Sequence, residues 1–410
     1  MKGIYKHLCL YALLIFTLIS PVFSQIDNSG SWTQFRGQFR SGISNEILPQ
    51  MDWSKSEPKL LWKKEIGSGF SELIISDGVV YTMFSEQTDS ITGLEYIAAY
   101  YENTGNELWR SKVDSVFIEI DGWGNGPRST PTIGENFIYS LSGYGKLSAN
   151  SKKDGKLIWQ VDFVKEFGST VPRWGYSSSP LLIDNMLIIE VGDTNSRAFT
   201  AFNKNNGKLI WTKGKGEASY SSPLLATIDG QKQIIFANGR TLSSYTPKGD
   251  TLWTFKMPLA TPTAIPVHLG SNKLFVSALR GGFVITKTEN NKTTEVLKGN
   301  SMKNDFSSSC YYDGHLYGFH VAALRCISAE TGEVKWTKRG YGKGSLILVD
   351  DMLLVLSDQG KLVLIDAKPD VFNEKGSIQT ISGKSWTAPS FYKGKVFVRN
   401  LTEMACFKIK

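Results

Sequence analysis

Ten side chains of the chain have the types expected around a ligand-binding concavity. Five belong to the two longest connections, over residues 110–128 and 160–176, and the others lie near short segments that start or end a strand. Arginines and aromatic rings that converge in a concave mouth suit an anionic or planar ligand. We therefore predict a binding site made of Trp123, Arg128, Arg173, Trp174, Tyr176, Asn304, Asp305, Lys343, Trp386 and Arg399.

The same arginines have a second interpretation. An arginine can join neighbouring strands by donating several hydrogen bonds to backbone carbonyls, with no ligand involved. The two interpretations differ in what a substitution does. Loss of a binding arginine weakens a ligand, whereas loss of a structural arginine lowers the stability of the fold.

The residue types and their spacing give little support for a metal site, a covalent haem or a catalytic triad. His315 and His320 flank an apolar segment without the spacing of a metal site. No C-x-x-C-H motif for covalent haem occurs. No Ser/His/Asp or paired-carboxylate arrangement can be recognised from spacing. Outside residues 1–24, three cysteines lie far apart in apolar patterns, so we expect buried free thiols, with a disulfide left open: Cys310, Cys326 and Cys406.

A recurring hairpin pattern defines the elements that must position the candidate site. A glycine stands four residues before a tryptophan in segments 104–109, 154–159, 201–211, 248–253 and 331–336. Each segment predicts a tight turn that needs glycine at positive φ, followed by a strand with one large aromatic. A single hairpin cannot bury its tryptophan, whereas stacked neighbours can, so the period indicates a repeat architecture.

The spacing of the tryptophans counts the repeats. From Trp62 to Trp253 the intervals are 47, 50, 52 and 42 residues, and 83 residues then separate Trp253 from Trp336. The double interval predicts a copy without tryptophan at 294–297, and another degenerate copy follows at 375–378. The total is eight units of about four strands, which is typical of propeller blades.

The two ends of the repeat region complete each other. Residues 60–66 carry a tryptophan strand without the strands before it, and residues 386–409 carry three strands without a tryptophan strand. We predict that they join in one sheet, which removes free sheet edges. The sequence therefore predicts an all-β fold: an eight-bladed β-propeller of four-stranded blades, its ring closed by N-terminal and C-terminal strands.

Residues 1–24 are predicted to be a cleaved secretory signal. A basic start precedes an almost wholly apolar run over residues 8–23, and cleavage is expected after about Ser24. The run is short for a spanning helix, which disfavours an uncleaved anchor. We expect a periplasmic or secreted protein with no membrane span after signal cleavage.

The charge of the chain is mild for its length. The formal net charge is +8, from 46 basic and 38 acidic residues, and the basic residues are scattered. Nucleic-acid binding needs a basic stripe or patch, and none is recognisable here. We expect no nucleic-acid partner, and a monomer.

Several motifs resemble those of a known family. Residues 32–37 (Trp-Thr-Gln-Phe-Arg-Gly), with Gly-Ile-Ser at 42–44, resemble the opening motif of exported bacterial proteins with PQQ-like (pyrroloquinoline-quinone-like) β-propeller repeats. Segments 126–131, 172–177 and 342–346 resemble its internal motifs. The resemblance covers nearly all of the mature chain. It implies one propeller domain over residues 25–410, in the quinoprotein alcohol dehydrogenase-like superfamily.

The resemblance implies two classes of function. The superfamily contains quinone-dependent dehydrogenases and also non-catalytic members similar to the assembly lipoprotein BamB, so the fold does not decide between them. In the enzymes the quinone depends on Ca²⁺ held by carboxylate and amide oxygens, beside a vicinal Cys-Cys pair. This chain has no Cys-Cys pair and no Asp-x-Asp run, and Asn304-Asp305-Phe306 stands where relatives often have Asn-His-His.

These differences favour the non-catalytic class. We predict an exported binding or scaffold module, without a cofactor, for a protein or an anionic small molecule or glycan. The alternative is an alcohol or sugar oxidoreductase that uses PQQ with calcium.

Overall fold

The computed structural model describes residues 31–48, 51–193 and 195–409. Within these residues the strands form eight sheets arranged as the blades of a ring, with one short helix, Phe163–Phe167. The predicted all-β, eight-bladed propeller is confirmed. The predicted signal over residues 1–24 lies outside the described residues, and the domain bounds 25–410 stay a prediction.

Each blade runs from an innermost to an outermost strand. Blade 1 has Ile74–Ser76, Val79–Gln87, Gly93–Tyr101 and Glu107–Ser115. Blade 2 has Thr132–Ile133, Phe137–Leu141, Lys146–Ser151 and Leu157–Asp162. Blade 3 has Leu181–Ile183, Met186–Glu190, Phe199–Asn203 and Leu209–Lys213. Blade 4 has Leu224–Ile228, Gln231–Asn238, Thr241–Tyr245 and Thr251–Lys256.

The second half of the ring follows the same order. Blade 5 has Val267–His268, Lys273–Ala278, Gly282–Glu289 and Lys292–Gly299. Blade 6 has Cys310–Tyr312, His315–His320, Ala323–Ser328 and Val334–Lys338. Blade 7 has Ser345–Val349, Met352–Leu356, Lys361–Asp366 and Glu374–Gln379, extended on its inner side by Ile43–Ser44. Blade 8 has Ser390–Tyr392, Lys395–Arg399, Glu403–Lys408 and, as its outermost strand, Lys59–Glu65.

The last blade closes the ring with both ends of the chain. Lys59–Glu65 pairs antiparallel with Glu403–Lys408, with Lys59 opposite Lys408 and Trp62 opposite Cys406. The predicted closure is confirmed. The two degenerate copies are also strands: Lys292–Gly299 places Leu297 opposite Ile285, and Glu374–Gln379 forms the outer edge of blade 7.

The glycine-to-tryptophan spacing reflects a contact between adjacent blades. Gly105, in the outer turn of blade 1, lies so close to Trp62 of blade 8 that a Cβ there would come within 2.7 Å of the indole ring. Gly155 of blade 2 faces Trp109 of blade 1 in the same way, at 2.4 Å. The indole N–H of Trp62 also donates to the carbonyl of Glu102, at 2.7 Å. In blades 1–4 the outer turn therefore packs on the tryptophan of the blade before it.

Burial of these tryptophans is uneven. Trp62, Trp253 and Trp336 are buried, whereas Trp159 and Trp211 lie between blades but are only half-buried. Both half-buried indoles still donate to a carbonyl of the next blade, that of Lys204 for Trp159 and that of Pro247 for Trp211. Both indoles pack against a buried core cluster, so they lie between blades as the repeat predicts, with part of each ring left in solvent.

Small polar residues join the innermost strands. The N–H of Thr130 donates to Ser179 Oγ at 3.0 Å, and the N–H of Ser179 donates to Ser222 Oγ at 2.9 Å. Blades 5 and 6 repeat the contact, from the N–H of Ile265 to Ser308 Oγ at 3.1 Å. Serine and threonine are therefore frequent before these strands because they join blades where the ring is narrowest.

An N-terminal segment over residues 31–44, which we call the plug, crosses the centre of the ring. Trp32 bridges to Ile75 of blade 1, and the guanidinium of Arg36 donates to the carbonyl of Ser309, before blade 6, at 3.0 Å. Arg40 donates to the carbonyls of Ser179 and Pro180 before blade 3 and of Pro223 before blade 4. Both arginines are almost fully buried, so the plug is an integral part of the core.

Two further findings concern cysteines and membrane spans. The three cysteines of the described residues are buried and unbridged, as expected from their apolar strand patterns: Cys310, Cys326 and Cys406. Burial raises the pKa of Cys326 and of Cys406 to about 12, which makes them poor nucleophiles. In the part of the chain that the structure describes, no helix is long and apolar enough to cross a membrane.

Candidate functional site

A cavity of about 400 Å³ lies on one side of the plug, at the axis of the ring. Phe35 and Arg36 of the plug belong to its wall. Every connection that leads into an innermost strand contributes one side chain at an equivalent position. These eight are Phe70, Arg128, Ser177, Tyr220, Thr263, Phe306, Lys343 and Trp386. The cavity is thus shaped by all eight blades.

Aromatic rings dominate one wall of the cavity. The ring of Trp386 lies 4.8 Å from that of Phe306, 5.5 Å from that of Trp123 and 6.1 Å from that of Phe70, measured between centroids. Elsewhere on the wall, Trp174 packs against Tyr220 at 5.1 Å. Aromatic surfaces of this kind can hold the flat apolar face of a ligand, and a few polar groups then fix its orientation.

The cations at this cavity have partners within the protein. Arg128 donates to the carbonyls of Gly124 and Gly126, each at 2.8 Å, and burial lowers its pKa to about 10. Lys343 forms an ion pair with Asp305 at 2.8 Å. An anionic ligand must therefore compete with contacts that already exist.

Six of the ten predicted residues line the cavity. These are Trp123, Arg128, Trp174, Asp305, Lys343 and Trp386. They come from different connections, and the ring brings them together although up to 263 residues separate them. Whether they bind a ligand stays a prediction.

The other four predicted residues lie away from the cavity wall. Arg173 points into solvent, with 61% of its side chain exposed, and pairs with Asp121 at 2.6 Å. The hydroxyl of Tyr176 donates to the carbonyl of Val191, and the amide of Asn304 donates to the carbonyl of Phe319. Arg399 is fully buried.

Contacts within the protein keep three of these four side chains away from the cavity wall. Arg399 donates to the carbonyls of Met83 and Gly67, so it joins blade 8 to blade 1, as in the structural interpretation of the arginines. Tyr176 and Asn304 lie next to cavity residues in sequence, but their side chains are held in the core by hydrogen bonds to backbone carbonyls. One residue of displacement is enough to move a side chain from the cavity into the core.

Sequence reasoning missed several cavity residues. Phe70, Tyr220 and Phe306 occupy the same ring position as Arg128 and Trp386, so aligning the connections of successive repeats could have found them. Glu72 stands two residues after Phe70 and, with Asp305, is one of two carboxylates among the described residues of the wall. The feature that could have identified Glu72 is its charge, because other repeats carry small residues at the equivalent position of the wall: Ser222, Ser308, Ser345 and Ala388.

Three glutamates in the described residues combine nearly complete burial with a perturbed acidity. Removal from water raises the pKa of Glu72, Glu95 and Glu190 to about 7. Their carboxyl groups hold loops by accepting hydrogen bonds. Glu190 accepts from Ser219 and from Asn238, and Glu95 accepts from the N–H groups of Phe117 and Gly143.

The replacement Glu190→Gln is expected to alter how stability depends on pH. The Glu190 carboxyl has a pKa of about 7 in the folded protein, against an ordinary value of 4.5. Its contribution to the free energy of unfolding is therefore complete below pH 4.5 and is lost as the pH rises through 7. Glutamine cannot ionise, so the variant should gain roughly 3 kcal/mol relative to the parent between pH 4.5 and 7.5. Urea unfolding at both pH values measures this difference. Buried histidines titrate equally in both proteins and cancel.

The exposed Glu86 provides the matched control. Its carboxylate is half-exposed and pairs with Arg110, so Glu86→Gln should leave the difference from the parent constant across the same range. Parallel stability profiles for Glu190→Gln and the parent would contradict the assignment of a raised pKa.

The cavity does not match the requirements of a calcium-bound quinone. Calcium needs six to eight oxygen ligands, several of them from carboxylates. The wall offers Glu72 and Asp305, and Asp305 is already paired with Lys343. Among the described residues, no group of three or more His, Cys, Asp or Glu side chains is arranged to hold a metal. We therefore derive no redox step at this site.

Comparison with solved structures defines the class of fold. The chain has the fold of quinoprotein alcohol dehydrogenase-like propellers. The quinohemoprotein alcohol dehydrogenase of Comamonas testosteroni aligns with 93% of this chain and 80% of its own, with a TM-score of 0.69 and 11% identity. BamB of Moraxella catarrhalis aligns with 86% of this chain and 98% of its own, with a TM-score of 0.63 and 11% identity. Identities this low establish the fold alone.

Comparison of sequences defines the family. The family model described as outer membrane protein assembly factor BamB matches residues 93–338, more than half of the chain, and the chain belongs to this family. The outer membrane protein assembly factor BamB of Yersinia pestis is 22% identical over 199 residues, which are 48% of this chain and 46% of that protein. The match thus spans about half the length of this curated relative.

Proposed function

We propose that the protein is an exported, non-catalytic propeller that binds a small ligand in the cavity beside the plug. The observation that carries this proposal is the cavity itself, about 400 Å³ in volume and built by all eight blade connections. Ligand sites in proteins are concave, largely apolar and of this size, with a few polar groups to orient the ligand. The aromatic cluster around Trp386 and the polar groups of Glu72, Arg36 and Ser345 provide these two components.

A protein partner is the second candidate. Leu157 and Ile158 in blade 2, and Leu209 and Ile210 in blade 3, expose between 43% and 52% of their surface on adjacent outermost strands. The relative from Yersinia pestis is named an assembly factor, which is consistent with protein binding. Under this alternative, the outer edge of the ring rather than the cavity is the functional surface.

Trp386→Ala is expected to weaken ligand binding at least tenfold, because a central aromatic contact is lost. The mature protein is first screened against immobilised small molecules and glycans. Each hit is then titrated by intrinsic fluorescence with the parent and the variant. Trp211→Ala is the matched control, since Trp211 lies between blades 3 and 4 and contacts Tyr245 rather than the cavity. Both variants lose some stability, but only Trp386→Ala should lose affinity.

Three outcomes separate the candidates. Equal binding by parent and Trp386→Ala would exclude the cavity as the site. Loss of a captured protein after replacing Leu157 and Leu209 with serine would favour the outer edge. Retention of the quinone's absorbance after incubation with PQQ and Ca²⁺, together with alcohol-dependent dye reduction, would establish the oxidoreductase instead.

A further inference from the structure

Glu72 differs from the other two buried glutamates in how it uses its oxygens. Glu95 and Glu190 each accept hydrogen bonds on both carboxyl oxygens. Glu72 accepts only on Oε2, from the backbone N–H of Arg36 at 2.8 Å and from the indole N–H of Trp32 at 3.4 Å. Its Oε1 is buried and has no hydrogen-bond partner among the described residues. One oxygen holds the plug, and the other is left without a hydrogen bond.

Arg36 presents a complementary unused donor. One terminal nitrogen of its guanidinium donates to the carbonyls of Ser309 and Ser41, at 3.0 and 3.1 Å. Its Nε is buried and has no acceptor among the described residues. Both side chains are 2% exposed and both belong to the cavity wall. Unpaired buried polar atoms are costly, and here an unpaired donor and an unpaired acceptor belong to two side chains of the same cavity wall.

The pair restricts the chemistry of a ligand. A hydroxyl group donates one hydrogen bond and accepts others, so it can satisfy a free acceptor and a free donor together. Further hydroxyls of the wall, on Ser177, Ser222 and Ser345, can contact the same molecule. The aromatic cluster around Trp386 requires a flat apolar face as well. A carbohydrate combines several hydroxyls with an apolar ring face, so it meets both requirements.

The charges of the wall favour a neutral carbohydrate. An anionic sugar would meet the Glu72 carboxylate and would have to displace Asp305 from Lys343. A cationic ligand would meet Arg36, Arg128 and Lys343. A neutral sugar satisfies the free donor and acceptor without breaking an internal ion pair.

We propose that the cavity binds one end of a neutral glycan, with a sugar hydroxyl between Glu72 Oε1 and Arg36 Nε and a sugar ring on the Trp386 aromatic cluster. The inference rests on the proposed function, because it specifies the ligand class of the same cavity. It also assigns a binding role to the plug, which supplies Arg36 and holds Glu72 in place.

The first test uses neutral and anionic probes with the mature protein. Cellotriose, maltotriose and N,N′,N″-triacetylchitotriose are titrated calorimetrically at pH 8, with trigalacturonic acid as the anionic counterpart. At least one neutral trisaccharide should bind, and at least tenfold more tightly than the acid. Binding of the acid alone, or of none of the three neutral probes, would overturn the proposal.

The second test replaces the free acceptor. Glu72→Gln keeps the shape of the side chain, but its amide oxygen is needed by the N–H of Arg36 and its NH₂ then faces the cavity as a donor. Affinity for the neutral trisaccharide should fall at least tenfold. Glu190→Gln is the matched control, a buried carboxyl outside the cavity wall, and should bind like the parent. Equal binding by Glu72→Gln and the parent would refute the role of Glu72.

A third measurement needs no variant, so it remains decisive if Glu72→Gln folds poorly. Monodeoxy analogues of the bound sugar are titrated with the parent protein. One missing hydroxyl should cost tenfold to a hundredfold in affinity, because a site built to bond a hydroxyl rejects the analogue without it. Uniform affinities across the deoxy series would refute the hydroxyl contact. If Trp386→Ala still abolished binding in that case, the cavity would stand as the binding site and only its ligand class would be wrong.

Discussion

Deletion of residues 32–66 should abolish cooperative folding of the propeller. The deletion removes the plug together with strand Lys59–Glu65, which pairs with Glu403–Lys408 along its whole length. It exposes the edge of Glu403–Lys408 and the buried surface that Trp32 and Trp62 cover. Unpaired strand edges template aggregation. We expect aggregates, or a monomer without a single cooperative unfolding transition, by size-exclusion chromatography and calorimetry.

A permuted chain separates the closing strand from the plug. Lys408 lies opposite Lys59, so residues 59–66 can follow residue 409 through a short turn and complete blade 8 as an ordinary hairpin. A chain of residues 67–409, the turn and residues 59–66 should recover a closed monomeric ring, but one less stable than the parent because the buried contacts of the plug are missing. A soluble, cooperatively folding deletion protein that lacks the strand altogether would contradict the closure mechanism.

Arg40→Ala should cause a large loss of stability, because this arginine joins the plug to blades 3 and 4. The guanidinium is 1% exposed and donates to the carbonyls of Ser179, Pro180 and Pro223. Each buried carbonyl left without a donor costs about 1–3 kcal/mol, so we expect the free energy of unfolding to fall by about 3–5 kcal/mol. Urea denaturation monitored by circular dichroism measures the change.

Two further variants test the reason for that loss. Arg40→Lys keeps the charge but lacks the planar fork that reaches several carbonyls, so it should recover only part of the stability. Arg173→Ala removes an exposed arginine that pairs with Asp121, and should leave the free energy of unfolding close to that of the parent, because exposed ion pairs contribute little. A cost for Arg40→Ala as small as that for Arg173→Ala would show that the plug contributes little to the fold.

The architecture was predictable because its signal repeats. Glycine and tryptophan recur at a spacing that the contact between adjacent blades imposes, so each copy supports the others. Ring closure followed from simple complementarity, since one end lacked the strand that the other end carried. The degenerate copy at 294–297 was also recognisable, because Leu297 still occupies the position of the missing tryptophan.

The candidate site was only partly predictable, for a geometric reason. Arg128 and Trp386 were identified because long or charged connections suggest a mouth, and both line the cavity. Arg399 has the same apparent signal but points into the seam between blades 8 and 1. Which way a side chain points depends on strand register, and a shift of one residue reverses it. The free oxygen of Glu72 depends on contacts with a plug 36 residues away, which no local pattern encodes.

Ring closure also dictates an order of events as the chain folds. Lys59, near the beginning, pairs with Lys408, near the end, across 349 residues. Contacts so distant in sequence are slow to form, because the entropy of closing the loop is lost before the pairing compensates for it. Blades 1–7 can assemble their four main strands as the chain becomes available, but Lys59–Glu65 must wait without a partner until the last strand arrives. A strand made early in synthesis is therefore the one that completes the fold.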